Sequence, residues 1–151
     1  MILISHRGNR TGPNKDQENK PIFIDDTLNR GFDCEIDIRM VDNQLYLGHD
    51  EPQYKIDIGW LYNRRHKLWI HCKDVATLHE FSTKTSGYNF FFHDKDDYTL
   101  TSKQYIWAYP GKSYTDHTVM VMPEWKEDVD WDTLRATNCF GICTDYPQRL
   151  T

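Results

Sequence analysis

Two histidines stand where a proton could be exchanged with a substrate. His6 directly follows the apolar run Ile2–Ser5, and His49 directly follows the run Gln44–Gly48. A lone histidine is usually a surface residue or a hydrogen-bonded one. Two that each end a predicted strand indicate a shared site, because barrel enzymes carry their sites at the carboxyl ends of strands. Since imidazole exchanges a proton near neutral pH, His6 and His49 are candidates for an acid and a base.

Two carboxylates, Glu35 and Asp37, share one face of a predicted strand whose other face is apolar. Side chains alternate between the faces of a strand, so Glu35 and Asp37 point the same way. One interpretation is an edge strand with a solvated face. In a closed barrel the same face is enclosed, where carboxylates are costly unless a cation pairs with them. The pair then indicates a hard divalent cation such as Mg²⁺ or Ca²⁺.

Several short motifs in chain order resemble those of the glycerophosphodiester phosphodiesterases. That family has His-Arg-Gly, Glu-Asn, Glu-x-Asp and His-Asp motifs, and this chain has Ser5-His6-Arg7-Gly8-Asn9, Glu18-Asn19, Glu35-Ile36-Asp37 and Leu47-Gly48-His49-Asp50. Further along, its Glu-x-Lys strand and closing Thr-Asp-x-Pro are matched by Trp69-Ile70-His71-Cys72-Lys73 and Thr144-Asp145-Tyr146-Pro147. The resemblance is dense in the first third of the chain and sparse between Asp74 and Cys139. The family is similar in fold to phosphatidylinositol-specific phospholipase C and to the sphingomyelin-cleaving phospholipase D toxins, all of them barrels.

The resemblance implies a phosphoric diester hydrolase that cleaves a small glycerophosphodiester-like substrate at a divalent metal, as in lipid metabolism. His6 and His49 are then the acid–base pair, and the resemblance does not decide which is the acid and which the base. Glu35 and Asp37 hold the cation.

The same resemblance gives roles to the cationic and amide residues around this pair. Arg7 and Lys73 would stabilise the negative phosphoryl group. Glu18 and Asn19 would not bind the metal directly, but would hold its ligands or the histidine in place. The chain departs from the family at His71, which stands where the family has a third carboxylate ligand. His71 as a ligand would favour Mn²⁺ or Zn²⁺ over Mg²⁺ or Ca²⁺. The alternative is that His71 only hydrogen-bonds to Glu35.

The elements that must position these residues are short strands that alternate with helices. Eight strands are predicted, over residues 2–5, 32–40, 44–48, 67–72, 88–93, 104–109, 118–122 and 140–144. Four helices are predicted, over residues 21–30, 57–65, 74–85 and 130–136. A full (β/α)8 barrel usually takes about 250 residues. We therefore expect one α/β domain over residues 1–151, a compact TIM-type barrel with several outer helices missing, or else an open α/β sheet.

The composition of the chain limits the kinds of partner that we expect it to bind. The net charge of −5 argues against non-specific binding of nucleic acid, and no apolar run is long enough for a membrane span. The run at the start ends at Ser5, so we expect no signal peptide and a cytoplasmic protein. Four cysteines, Cys34, Cys72, Cys139 and Cys143, are then expected as reduced core thiols. The sequence makes no prediction of an oligomeric state.

Other interpretations stay open from the sequence alone. The protein could be a catalytically weak or silent phosphodiester-binding module with the same charges, or a lyase that forms a cyclic phosphate. Aromatic residues (Tyr105, Trp107, Tyr109 and Trp125) could line an apolar wall for the substrate, whereas Trp69 and Trp107 are more typical of core residues. Glu124 could reach the cleft or be solvated, and His93 is a weaker candidate for lining it.

Overall fold

The computed structural model describes residues 1–151, with ten strands and four α-helices. In chain order the elements are β1 (Ile2–His6), α1 (Pro21–Asn29), β2 (Asp33–Val41), β3 (Gln44–Leu47), β4 (Tyr54–Ile56), α2 (Ile58–Arg64), β5 (Leu68–Cys72), α3 (Val75–Thr83), β6 (Asn89–Phe91), β7 (Tyr98–Leu100), β8 (Ile106–Ala108), β9 (Thr118–Val121), α4 (Trp131–Arg135) and β10 (Gly141–Thr144). All eight predicted strands and all four predicted helices are present, with ends that differ by at most two residues. The short strands β4 and β7 were not predicted from the sequence.

Three of the four helices have an aspartate at the position before their first residue. Asp57, Asp74 and Asp130 each accept a hydrogen bond from a backbone N–H in the first turn of α2, α3 and α4. Helix α1 begins instead at Pro21, whose fixed φ suits the first helical position. No helix of the structure combines the length and the apolar character that a bilayer crossing requires.

The strands form one mixed sheet, so the prediction of an α/β protein is confirmed. Seven strands run parallel in the order β6-β5-β2-β1-β10-β9-β8, and β7 pairs antiparallel with β8. Strands β3 and β4 add an antiparallel extension to the carboxyl half of β2. Because β1 lies between β2 and β10, the first and last strands are neighbours.

The sheet curls into a half-barrel but does not close, so the prediction of a TIM-type barrel is wrong in that respect. Strands β6 and β8 share no ladder. The backbone N–H of Ser102 donates to the carbonyl of Phe90 at 2.8 Å, and the N–H of Phe90 donates to Ser102 Oγ at 3.0 Å. Between β6 and β8 the chain forms β7, which makes a hairpin with β8. A closed barrel would need a helix and a further parallel strand there. The alternative of an open sheet therefore fits in part.

The two faces of the sheet bury different residues. The outer face packs against α1, α2 and α3 through an apolar cluster that includes Ile36, Ile70 and Phe81. The concave inner face is filled by a second apolar cluster: Ile4, Trp69, Phe91, Trp107, Val119 and Cys143. The Trp69 and Trp107 rings lie 5.8 Å apart, so their predicted core role is confirmed.

The four cysteines are buried and unpaired. Burial raises the pKa of Cys72 to about 12 and raises the pKa values of Cys34 and Cys143 well above their ordinary range. The thiols of Cys34, Cys72 and Cys143 therefore stay protonated at neutral pH, and all four cysteines are core side chains, as the sequence predicts.

Candidate active site

The site lies one layer above the inner apolar cluster, at the carboxyl ends of the parallel strands. Residues two positions apart on a strand share a face. The position two residues after each member of the inner cluster therefore faces the same way. Those six positions are His6, His71, His93, Tyr109, Val121 and Asp145. The strand period thus places polar groups from distant parts of the chain around one end of the half-barrel.

Glu35 and Asp37 also lie on this inner face, and both are buried. Strand β2 is paired on both sides, with β1 and with β5, so the edge-strand interpretation is wrong. The register of β5 sets Asp37 opposite His71. His71 Nδ1 lies 3.4 Å from Asp37 Oδ1 and 3.8 Å from Glu35 Oε1, and one possible ligand atom from each of the three residues lies within 4.8 Å of the others.

The protonation of His71 follows from its other ring nitrogen. Nε2 lies 3.0 Å from the backbone carbonyl oxygen of His93, which can only accept a hydrogen bond, so Nε2 carries the proton. In the neutral ring the lone pair is then on Nδ1, directed at the oxygens of Glu35 and Asp37. Histidine ligands of metals commonly donate their second N–H to a carbonyl in this way.

The three residues fit a divalent cation. Asp37 Oδ1 and Glu35 Oε2 are buried and accept no hydrogen bond. The Nδ1 lone pair of His71 and the carboxylate oxygens it faces are all acceptors. Buried acceptors that face one another are unfavourable unless a proton or a metal ion lies between them. Two carboxylates and one imidazole form a donor set suited to Mg²⁺, Mn²⁺ or Zn²⁺. The alternative of a direct hydrogen bond between His71 and Glu35 is wrong, because 3.8 Å is too long for one.

The two carboxylates have opposite electrostatic environments. Burial and the neighbouring charge of Asp37 raise the pKa of Glu35, and the nearby cations only partly offset this. Burial opposes ionisation of Asp37 as well, but a proton on His71 Nδ1, together with Arg7 and Asn19, holds the pKa of Asp37 well below its usual range. Asp37 is therefore the fixed negative charge of the pair, and Glu35 is the carboxylate that most needs a cation.

The residues predicted to support the site surround Asp37. Asn19 donates from Nδ2 to Asp37 Oδ2 at 3.0 Å and accepts from the Asp37 N–H at 3.1 Å. Arg7 Nε lies 2.8 Å from Asp37 Oδ2, and Lys73 Nζ lies 3.9 Å from Asp37 Oδ1. Glu18 binds Arg7 Nη1 at 3.2 Å and reaches no candidate ligand. Asn19 thus orients a candidate ligand, and Glu18 orients Arg7.

His6 is held by a residue to which the sequence analysis gave no role. Its Nδ1 lies 2.8 Å from Asp145 Oδ1, which also accepts from Asn9 Nδ2 at 2.8 Å. Burial alone would lower the pKa of His6, but Asp145 and Glu35 outweigh it and raise that pKa. His6 Nε2 faces Glu35 Oε2 at 4.0 Å. The position of Asp145 directly after β10, next to β1, was the available signal for this pair.

Glu124 lies behind Asp145. Its Oε1 accepts from Thr144 Oγ1 and from the backbone N–H of Asp145, both at 2.8 Å, and its Oε2 is buried without a partner. Burial raises the pKa of Glu124. Glu124 therefore fixes the turn that carries Asp145, a role that neither the cleft nor the solvated interpretation described.

His49 lies at the edge of the site. Its Nδ1 is 2.7 Å from Asp50 Oδ1, and 40% of its side chain is exposed. Partial burial lowers the pKa of His49, and the charges of Arg7 and Lys73 add to this, while Asp37 and Asp50 only partly offset them. The two histidines thus differ: the environment favours the charged form of His6 and the neutral form of His49.

A cavity of about 350 Å³ collects these groups. It is lined by His6, Arg7, Glu35, His49, His71, Lys73, His93, Asp94, Trp107, Tyr109, Pro110, Val121, Met122 and Trp125. The predicted apolar wall is therefore present in Trp107, Tyr109 and Trp125. Tyr105 is not part of it, because its ring packs on Phe140 at 4.1 Å, below the site. A volume near the lower end of ligand pockets suits a small substrate.

Three of the seven non-glycine residues with positive φ lie at the site. Arg7, Asn19 and Met122 have positive φ values of 55°, 62° and 43°. Asparagine tolerates this region, but arginine and methionine adopt it at a cost. Arg7 is held there by its backbone bonds to Glu35 and Asn19 and by its contact with Asp37.

Comparisons of the chain with models of protein families, with curated proteins and with solved structures gave no match. Glu35, Asp37, His71, His6 and Asp145 are thus grouped on the geometry of this chain alone.

Proposed function

We propose that the protein is a metal-dependent phosphodiesterase that hydrolyses a small phosphodiester. The observation that carries the proposal is the convergence of His71 Nδ1 with Asp37 Oδ1 and Glu35 Oε1, in a cavity that also contains His6 and His49. The motif resemblance to glycerophosphodiester phosphodiesterases favours the same activity. A diester is an anion with a poor leaving group, so its cleavage needs positive charge at the phosphoryl oxygens and a proton for the departing alkoxide.

Glu35, Asp37 and His71 would hold the cation, which could be Mg²⁺, Ca²⁺, Mn²⁺ or Zn²⁺. When bound, a divalent ion polarises a phosphoryl oxygen. The Lys73 ammonium group donates no hydrogen bond within the protein and lies 3.9 Å from Asp37 Oδ1, so it can bind a second phosphoryl oxygen. Arg7 is engaged by Asp37 and Glu18 through Nε and Nη1, which leaves its Nη2 for the same anion.

The opposite pKa shifts of the two histidines assign the proton transfers. His49, whose pKa is lowered, is neutral and takes a proton from the attacking water. His6, whose pKa is raised, is charged and gives its Nε2 proton to the leaving oxygen. Two titratable groups with pKa values moved apart are the usual arrangement of an acid and a base.

Hydrolysis of bis(4-nitrophenyl) phosphate, followed with each of the four metals and with EDTA, tests the proposal. We expect metal-dependent release of nitrophenol that His6→Ala or His49→Ala reduces at least a hundredfold. His79→Ala, on the exposed side of α3, is the matched control and should retain full activity. Phosphorus NMR with glycerophosphoethanolamine distinguishes hydrolysis from formation of a cyclic phosphate. Binding of diesters without turnover at any metal would overturn the proposal in favour of a binding module.

A further inference from the structure

The cavity has two unlike halves. Charged and titratable groups in or directly after β1, β2, β3, β5 and β6 line one half, and apolar or aromatic groups in or after β8 and β9 line the other. The proposed reaction uses the first half only. The second half contains two exposed aromatic residues, Trp125 at 60% and Tyr109 at 42%. These two residues are called the aromatic rim below.

Trp125 differs from the other four tryptophans of the chain. Trp69 and Trp107 stack on each other, Trp60 lies under the guanidinium of Arg64, and Trp131 packs edge-on against Tyr146. Trp125 has no aromatic or cationic partner. An exposed indole forfeits the free energy that its burial would provide, and exposed aromatic surface beside a polar cavity is typical of a ligand-binding position.

The backbone that presents Trp125 is fixed. Trp125 ends the 3₁₀ turn Pro123–Trp125, which follows the buried Met122 in a left-handed conformation. The preceding residue, Glu124, binds the N–H of Asp145 and so ties this turn to the partner of His6. The backbone that carries the indole is therefore set by the same contacts that set the proposed acid.

We infer that the aromatic rim binds a flat, apolar substituent of the phosphodiester, and that Trp125 is a specificity-determining residue. The inference rests on the proposed function for the orientation of the substrate: the phosphoryl group lies in the charged half, and a substituent of the diester extends over the indole. Contact with a flat apolar group buries the exposed face of Trp125, and aromatic stacking adds to the affinity. The protein then prefers aryl diesters to alkyl diesters of the same charge.

Two diesters with one leaving group measure this preference. Bis(4-nitrophenyl) phosphate and methyl 4-nitrophenyl phosphate both release nitrophenol, and they differ only in the retained substituent. We expect Trp125→Ala to lower the ratio of their kcat/KM values about tenfold, and Trp125→Phe to restore most of it. Tyr62→Ala removes an exposed aromatic side chain of α2 outside the cavity and should leave the ratio unchanged.

Binding supplies a second measurement that needs no turnover. Calorimetric titration of the metal-loaded protein with diphenyl phosphate and with dimethyl phosphate should show tighter binding of the aryl diester, with a difference that Trp125→Ala removes. If the diesters bind with this difference but are not hydrolysed, the proposed function fails and the inference stands. If both diesters are hydrolysed and Trp125→Ala leaves both ratios unchanged, the inference is overturned and the function stands. If neither diester binds, both are overturned.

Discussion

His6 donates its Nδ1 proton to Asp145 Oδ1 over 2.8 Å, although 139 positions separate the two residues in the chain. The contact exists because β1 lies beside β10 in parallel register, with Ser5 opposite Thr144. Asn9 and Glu124 also hydrogen-bond to Asp145. The partner of the His6 ring is therefore held in place by residues from both the first and the last part of the chain.

The first prediction concerns the pH dependence that Asp145 gives to His6. The raised pKa of His6 keeps the ring protonated to higher pH, so activity that requires an acid at this position falls only above that pKa. Asp145→Asn removes the negative charge and lowers the pKa of His6. The basic limb of the kcat/KM profile should therefore move to lower pH.

Proton NMR titration of the His6 ring in the metal-free protein measures the same shift without a substrate. Asp50→Asn is the matched control, because Asp50 contacts His49 and should move only the acidic limb. A basic limb and a His6 titration that both stay in place in Asp145→Asn would contradict the acid role of His6.

Period-two alternation was enough to predict much of the fold and part of the site. In β2 and β5 it separated the residues that pack under the helices from Glu35, Asp37 and His71. It could not predict closure of the sheet. Closure requires a strand between β6 and β8 that pairs with both of them, and side-chain alternation does not show which strands pair. The hairpin with β7 has no turn signal as clear as the caps of the helices.

Contacts between distant segments were the other part that the sequence alone left out. Asn9, Glu124 and Asp145 are ordinary polar residues at loop or turn positions, and their roles depend on which strands are neighbours. The sequence named Trp125 as a candidate for an apolar wall, but it could not show that this indole is exposed, since large aromatic residues are usually buried. Knowledge of the strand order, with β1 between β2 and β10, would have placed Asp145 beside His6.

The second prediction concerns Asn19 as the residue that orients Asp37. Asn19→Gly removes both hydrogen bonds to Asp37 and suits the positive φ of this position. Loss of such support typically weakens metal affinity by about 10- to 100-fold. Calorimetric titration with Mn²⁺ measures the change, with Asn29→Ala at the exposed end of α1 as the control. Equal Mn²⁺ affinities for the two variants would show that Asn19 does not orient a ligand.

The third prediction separates stability from function at Glu35. Because burial raises the pKa of Glu35, the folded protein binds this proton more tightly than the unfolded chain does. Ionisation of Glu35 therefore costs stability as the pH rises above the usual carboxyl range. In EDTA at pH 7, Glu35→Gln should raise the free energy of unfolding by on the order of 1–3 kcal/mol. The gain should shrink towards pH 4, where the carboxyl is protonated in both states.

Urea unfolding at several pH values measures this difference, with Glu127→Gln on an exposed loop as the control. Added Mn²⁺ should stabilise the native protein more than Glu35→Gln, because a neutral amide oxygen is a weaker metal ligand than a carboxylate. If Glu35→Gln were less stable than the native protein in EDTA at pH 7, ionisation of the buried Glu35 would not lower the stability of the fold.

The fourth prediction compares two glycines with similar backbone but different surroundings. Gly8 has φ +92° and Gly31 has φ +97°, so an alanine at either position meets a conformational cost of about 1–2 kcal/mol. A Cβ at Gly31 contacts nothing within 4 Å, whereas a Cβ at Gly8 lies 2.7 Å from Phe23 Cδ1. Gly8→Ala should therefore lower the free energy of unfolding by about 1–3 kcal/mol more than Gly31→Ala does.

A double-mutant cycle isolates the contact from the backbone cost. In a Phe23→Ala background the obstructing ring is absent, so Gly8→Ala should cost no more than Gly31→Ala does in the native background. Since Gly8 follows Arg7, we also expect Gly8→Ala to shift the guanidinium from Asp37 and to weaken Mn²⁺ binding, which Gly31→Ala should not do. Equal unfolding free energies for the two single variants would show that Phe23 moves aside freely, and that the tight turn after His6 is held by the backbone alone.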